Sequence, residues 1–232
     1  LQGDWSSDVC SSDLHFTFQA KPHDILKTRF FVFAVPSVAK GTIMPYPRQV
    51  NRDDIIAQAL LLIEADGADN LSLGKLAETL GVKAPSLYRH VANKAALLQA
   101  VNQHTSLQLI NTLQTAAAQT SGTPAQQLAA LLHAYRRFAH EHPHSYLLAF
   151  TNNDEALRPD ADVMEQMVLP IQALMTAVSG PEQSLAALRG AMALVHGFVL
   201  LELHGQLRRG GELVVDFDTA VQAYLRGWET IP

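Results

Sequence analysis

Leu71-Ser72-Leu73-Gly74-Lys75-Leu76-Ala77-Glu78-Thr79-Leu80-Gly81-Val82-Lys83-Ala84-Pro85-Ser86-Leu87-Tyr88-Arg89-His90-Val91-Ala92-Asn93-Lys94-Ala95-Ala96-Leu97-Leu98 reads as two short helices hinged on a glycine and followed by a third. Ser72 can cap the first helix, whose apolar positions Leu73, Leu76, Ala77 and Leu80 recur at three and four, and Gly81 stops it. The next helix begins near Lys83, with Pro85 in its first turn, where no hydrogen-bond donor is lost. Asn93 then caps a long helix through Ala96, Leu97, Ala100 and Val101 toward Ala118. Helix lengths and glycine placement are those of a helix-turn-helix, in which the second helix enters the major groove. An ordinary helical hairpin has the same outline, so the side chains must decide.

From Lys83 to Lys94 there are three fixed positive charges, Lys83, Arg89 and Lys94, together with His90 and no acid. Over residues 48–98 six basic residues (Arg48, Arg52, Lys75, Lys83, Arg89, Lys94) face six acidic ones (Asp53, Asp54, Glu64, Asp66, Asp69, Glu78), and the acids lie mostly on the preceding helix and loop. The segment is neutral but polarised, which gives the local basic footprint that phosphate binding needs. Ser86, Arg89 and His90, at i, i+3 and i+4, are expected to share one face, while Leu87 turns inward with Val82 and Val91. An exposed Tyr88 beside Arg89 and His90, directly ahead of a helix N-terminus bearing Lys94, supplies several donors for phosphate oxygens.

This ordered run resembles the DNA-binding domain of TetR-type transcriptional repressors. The resemblance lies in the Leu-Ala-x-x-Leu-Gly-Val second helix, the Leu-Tyr-x-His end of the recognition segment, and Asn-Lys-x-x-Leu-Leu opening the fourth helix. It implies phosphate contacts from Ser72, Tyr88, His90 and Lys94, and base-edge contacts from Lys83, Ala84, Pro85, Ser86 and Arg89 of the third helix. Lys or Arg pairs with guanine O6 and N7, while Ala84 and Pro85 can meet a thymine methyl. Two positions depart from the pattern. Gly74 is a poor helix former, serving close packing or else costing about 1 kcal/mol, and Ala95 stands where the family often carries a charge.

The rest of the chain fits around this reading. Of 232 residues, 48% are hydrophobic and 17% charged, enough for a sizeable core and too apolar for a disordered tail. A net charge of -5 excludes any function resting on a wholly basic surface. The lone Cys10 offers neither a disulfide framework nor a thiol metal site, as suits a reducing, cytoplasmic setting. The run Phe30–Ala39 superficially looks like a signal-peptide core, but it contains Pro36 and is about half the length that spans a bilayer, so no membrane segment is expected. Residues 1–43 carry a near-duplication, Ser6-Ser7-Asp8-Val9-Cys10 then Ser11-Ser12-Asp13-Leu14, and precede the first methionine, Met44. They are expected to be a non-native or disordered extension, with Met44–Arg48 a short arm.

After Asn51 every periodic stretch has helical spacing, so the fold class is all-α: residues 44–98 a three-helix DNA-binding domain, residues 99–232 a helical ligand-binding and dimerisation bundle. Expected helices are one from Asn51 to Gly67 with Ile55, Ala59, Leu62 and Ile63 inward, one from Pro124 to about His142, and a short one from Ser145 to Phe150. A polar loop, Thr151–Pro159, precedes a helix kinked by Pro170, and two more run from about Glu182 to Leu207 and Phe217 to Trp228.

Residues 95–232 hold seven basic against twelve acidic residues, so this part faces away from DNA. Its segments Tyr135–Tyr146 and Leu194–Glu202 resemble the TetR-like ligand-binding domain marked by a Trp four residues before His-Gly; here His196-Gly197 follow Met192 instead. The 182–207 helix is apolar on two faces and must be covered twice. Leu185, Leu188, Met192, Val195 and Val199, with Val221, Leu225 and Trp228, are the expected two-fold dimer interface. Tyr135, Phe138, Phe150, Met164, Met167, Met175, His196 and Phe198 are candidates for a pocket holding a small apolar effector. His140, His142 and His144 cannot put three imidazoles on one helix face, so no metal is expected and a solvated helix end is. No cofactor or catalytic residue is expected either. The rival, a helical small-molecule-binding protein or enzyme with an incidental helix-turn-helix, finds no nucleophile-base order and no nucleotide-binding glycine loop. The reading is a homodimeric, ligand-responsive repressor of a palindromic DNA operator, with an activator using the same DNA contacts as the other outcome that this chemistry allows.

Overall fold

The computed structural model describes residues 50–229; the expectations for residues 1–43 and for the Met44–Arg48 arm lie outside them. Asn51 caps the first helix reciprocally: its side chain accepts from the Asp54 N–H at 2.7 Å, and the Asp54 carboxylate accepts from the Asn51 N–H at 3.3 Å. Helix α1 (Arg52–Asp66) follows and stops at Gly67, whose φ of 81° suits glycine. Its inward stripe is Ile55, Ile56, Ala59 and Ile63; Leu62, expected inside, is only half-buried.

Helices α2 (Leu73–Leu80) and α3 (Ala84–Leu87) pack with α1 and the first turns of α4 (Lys94–Gln119) around a small core that includes Ile55, Ile63, Leu76, Leu87, Leu97 and Val101. Farther along α4, Leu109, Ile110 and Leu113 belong to a second, larger core. At 1.5 Å per residue its 26 residues extend about 39 Å. One rigid element therefore runs through both cores.

The second core is closed by α5 (Pro124–Glu141), α6 (Pro143–Thr151), α7 (Ala161–Ser179), α8 (Ser184–Leu203) and α9 (Leu213–Glu229). Thr123 and Gln126 cap α5 reciprocally, and Pro124 and Pro143 stand in the first turns of α5 and α6. The loop read as Thr151–Pro159 contains a 3-10 turn, Glu155–Leu157. It is tied to α4: Asn102 Nδ2 donates to the Leu157 carbonyl at 2.9 Å, and the Asp160 N–H donates to Gln103 Oε1 at 2.6 Å. Helix α7 runs through Pro170, which sits on its exposed side. Helix α8 is shorter than expected because His204 and Gly205 close it, and α9 begins four residues before Phe217.

The main correction concerns α8 and α9. Leu188, Val195, Val199, Val221 and Leu225, expected between two protomers, are at most 8% exposed inside the protomer's own core, and Trp228 is half-buried against Tyr224. The physical reason is the helical period: Leu188, Ala191, Val195 and Val199, spaced three and four apart, form one stripe of α8, which α5 and α7 cover. Leu185 and Met192, 45% and 53% exposed, lie on one uncovered flank of α8, and Leu201, 39% exposed, lies on the opposite flank. By length and apolarity α8 could cross a membrane, but its inner face is packed into the helical core.

Candidate nucleic-acid interface and apolar cavity

Ser72 caps α2 by accepting from the Lys75 N–H at 3.1 Å, which leaves its own hydroxyl hydrogen available to donate. At the other end Gly81 takes the left-handed conformation (φ 68°, ψ 29°), and the N–H of Val82 reaches back to the Ala77 carbonyl at 3.0 Å. This turn throws the extended Lys83 outward and starts α3. Regular helix lasts only from Ala84 to Leu87; the N–H groups of His90 and Val91 both donate to the Leu87 carbonyl, at 2.9 and 3.0 Å. Ser86, Arg89 and His90 therefore do not share one continuous helical face as the spacing suggested. They project from a helix and the turn that follows it.

Leu87 (0% exposed) and Val91 (4%) fix this short segment from beneath. Lys83, Pro85, Ser86, Tyr88, Arg89 and His90 are exposed, as is Ser72, and Tyr88 keeps 55% of its surface free. Ala84 is half-buried against the small core, which limits what its methyl can offer to a base. Lys94 is also half-buried, its ammonium donating to the Asp69 carbonyl at 3.2 Å and keeping two further N–H donors. Lys75 is neutralised by Asp66 at 2.5 Å, whereas Lys83 and Arg89 form no ion pair among the described residues. A Cβ at Gly74 would meet only the Ser72 hydroxyl, at an unstrained 4.0 Å, so packing inside the chain does not account for that glycine.

The larger core is not filled. A cavity of about 290 Å³ lies among α4, α5, α6, α7 and α8, near the lower end of the ~300–1,000 Å³ usual for small-molecule sites. Tyr135, Phe150, Met164 and Met175 line it, as expected from the sequence. Phe138, Met167, His196 and Phe198 do not. Phe138 stacks on His142, Phe198 on Phe217, and the backbone of Met167 accepts from Gln114. The sequence reading missed Ser106, Leu109, Ile110 and Leu113 of α4 and Met192 of α8 as lining residues. No signal separates such positions from ordinary core before the helices are assembled.

Behind the cavity wall, the Tyr135 hydroxyl lies 3.3 Å from that of Tyr146, which in turn lies 2.5 Å from His196 Nδ1. Burial raises both phenols above their ordinary value and lowers the His196 imidazole, so the three groups are neutral near neutral pH. Elsewhere burial acts to raise the Glu202 carboxyl, but hydrogen bonds from Arg136 (2.8 and 2.5 Å) and His140 (3.0 Å) outweigh it and hold the group low. Of the histidines read as a solvated helix end, His140 and His144 are exposed and His142 is half-buried, and each has its own partner: His140 Glu202, His142 Phe138, and His144 the Glu64 carbonyl at 2.8 Å.

Glu64, the last charged residue of α1 but one, makes a further connection. Its carboxylate accepts from the N–H groups of His144 and Ser145, at 3.1 and 2.9 Å, and from the Ser145 hydroxyl. An α1 side chain thus caps α6, whose far end supplies Ala149 and Phe150 to the cavity.

Comparison with known proteins agrees with this architecture. Residues 55–101 match the family "Bacterial regulatory proteins, tetR family", and residues 128–226 match "Tetracyclin repressor-like, C-terminal domain". An uncharacterized HTH-type transcriptional regulator of Mycobacterium tuberculosis is 34% identical over 179 residues, covering 74% of this chain and 76% of that protein. The class D tetracycline repressor of Escherichia coli is 47% identical over 53 residues, 23% of this chain and 24% of the repressor. Among solved structures, a Rhodococcus sp. RHA1 protein of unknown function superposes with a TM-score of 0.69 at 25% identity, covering 81% of this chain and all of that one. BioQ bound to its double-stranded DNA operator gives a TM-score of 0.57 at 23% identity, covering 79% and 100%. With an exposed, cation-bearing helix-turn-helix and relatives matched over both parts of its length, the chain belongs to the TetR family of transcription regulators and is a DNA-binding regulator, not an enzyme.

Proposed function

We propose that the chain acts in the cytoplasm as a homodimeric repressor of a palindromic operator and is released by a small apolar effector. The observation that carries the reading is α6, which touches both ends of the mechanism: Phe150 lines the cavity, and the N-terminus of the same helix is capped by Glu64 of the helix-turn-helix unit. Residues 44–98 serve DNA binding and 99–232 ligand binding and dimerisation, a division supported by the two cores, although Ala100 and Val101 still belong to the first.

At the DNA, Arg89 and Lys83 read base edges together with Pro85 and Ser86, while Ser72, Tyr88, His90 and Lys94 hold phosphates; Ala84 contributes from its exposed edge. The exposed flank of α8 with Leu185 and Met192 supports self-association. A two-fold pair presents two reading segments for half-sites about one helical turn apart. Ligand and operator then antagonise each other because each favours a different spacing of those segments. The test is to select retained fragments from a random DNA pool and measure binding with and without cavity-filling compounds. Recovery of an inverted repeat, bound by a dimer, is expected; a monomer retaining single half-sites overturns the proposal.

A further inference from the structure

We infer that the cavity takes an uncharged, largely apolar molecule bearing a single hydroxyl-type polar group, which Ser106 of α4 and Tyr135 of α5 recognise. The inference rests on the reading of this cavity as the effector site. Its walls are formed by leucines, methionines and other apolar side chains, and no Lys, Arg, Asp, Glu or His lines it. A charged group placed there would give up its hydration without a partner. Ligands with a carboxylate, a phosphate or an ammonium are therefore excluded by the site itself.

Two polar side chains interrupt the apolar lining. Ser106 is 3% exposed, and its hydroxyl has no hydrogen-bond partner among the described residues. The fully buried side-chain polar atoms without a partner among the described residues are Asn102 Oδ1 and Thr105 Oγ1; the Ser106 hydroxyl instead keeps accessible surface at the cavity wall, where a ligand can meet it. Tyr135 is 5% exposed, and its hydroxyl is held only by the long 3.3 Å contact to Tyr146. Tyr146 is committed to His196 at 2.5 Å. The Tyr135 oxygen keeps a lone pair to accept from a ligand O–H, and its hydrogen can leave the long Tyr146 contact to donate to a ligand oxygen. Tyr146 and His196 position that phenol without touching the ligand. Met192, 53% exposed and also lining the cavity, stands at its rim.

The experiment uses one hydrocarbon frame in three forms: biphenyl, 4-phenylphenol and biphenyl-4-carboxylate. Their affinities for the full chain are measured by calorimetry, with melting curves confirming that each variant is folded. The phenol is expected to bind about 10-fold more tightly than biphenyl, since a buried hydrogen bond is worth about one decade. The carboxylate is expected to bind at least about 100-fold more weakly than the phenol. Tyr135→Phe and Ser106→Ala, each removing one oxygen, should reduce the advantage of the phenol while leaving biphenyl unchanged; the double variant should erase it. A carboxylate that binds as well as the phenol, an advantage that survives the double variant, or no binding of either neutral probe overturns the inference. Operator retention is read separately: selective binding of the phenol without any loss of DNA binding leaves the inference standing and sinks the effector mechanism instead.

Discussion

The reading segment at residues 83–94 and the cavity in the larger core put their polar groups to opposite use. In the first, one leucine and one valine anchor a short helix and its turn, and nearly every other side chain is displayed to solvent. In the second, five helices turn inward around about 290 Å³ of space, and two hydroxyls are the polar exceptions. A ligand with a charge every few ångströms needs cations at a surface, where hydration costs little. A small neutral ligand needs a dry enclosure, where one hydrogen bond discriminates strongly. Affinity at the first site should therefore depend on salt, and at the second hardly at all.

The comparison can be broken most severely at its anchor. Leu87→Ala removes a fully buried side chain from the smaller core and should destabilise it by about 2–5 kcal/mol; proteolysis and circular dichroism should show the helix-turn-helix unfolding before the larger core. Arg89→Ala is next, with an expected loss of about 1–3 kcal/mol on operator DNA and relaxed preference at one base pair. Lys94→Ala should weaken all DNA alike and lower the salt slope by about one. Equal losses on specific and random DNA for both variants would remove Arg89 from base reading. Met192→Asp places a charge on the exposed face of α8 and should shift sedimentation to the monomer, with a persistent dimer moving the interface elsewhere.

Smaller effects sharpen the link between the two regions. Glu64→Ala removes the cap from α6 and should cost about 1 kcal/mol. Operator binding should survive, while its response to a cavity ligand should shrink; an undiminished response would exclude α6 as the connection. The smallest signature is titration of His196. Burial lowers its folded-state value, so the stability of the neutral form is fully present above the ordinary value of 6.5 and is lost as pH falls from there through the lowered value. Melting temperature should fall over that acidic window, and less so in His196→Gln.

The exposed side chains proposed to meet DNA could be picked out in the sequence because groups a protein displays leave a local pattern. Three cations without an acid between Lys83 and Lys94, a glycine at the hinge and a proline in a first turn are local facts of chain order. What failed there was the continuation of α3 beyond Leu87, where both the His90 and Val91 N–H groups converge on one carbonyl and close the helix. The cavity was legible only in part. Met164 lines it, but Met167, one turn along the same helix, does not. Nothing in either residue's neighbours along the chain distinguishes them.

Chain order by itself determined an all-helical protein, the position of its helix-turn-helix, and the polarity that sets a basic reading segment against an acidic remainder. Helical period, capping residues and charge spacing are short-range properties that do not depend on what packs where. Only tertiary structure decided which apolar face of α8 is core and which is free, and that Ser106 and Tyr135 share one cavity. It likewise decided that Glu64 reaches eighty residues onward to cap α6. Those outcomes depend on how neighbouring helices cover one another, because a leucine or a carboxylate has the same local signature whether its partner is solvent or another helix.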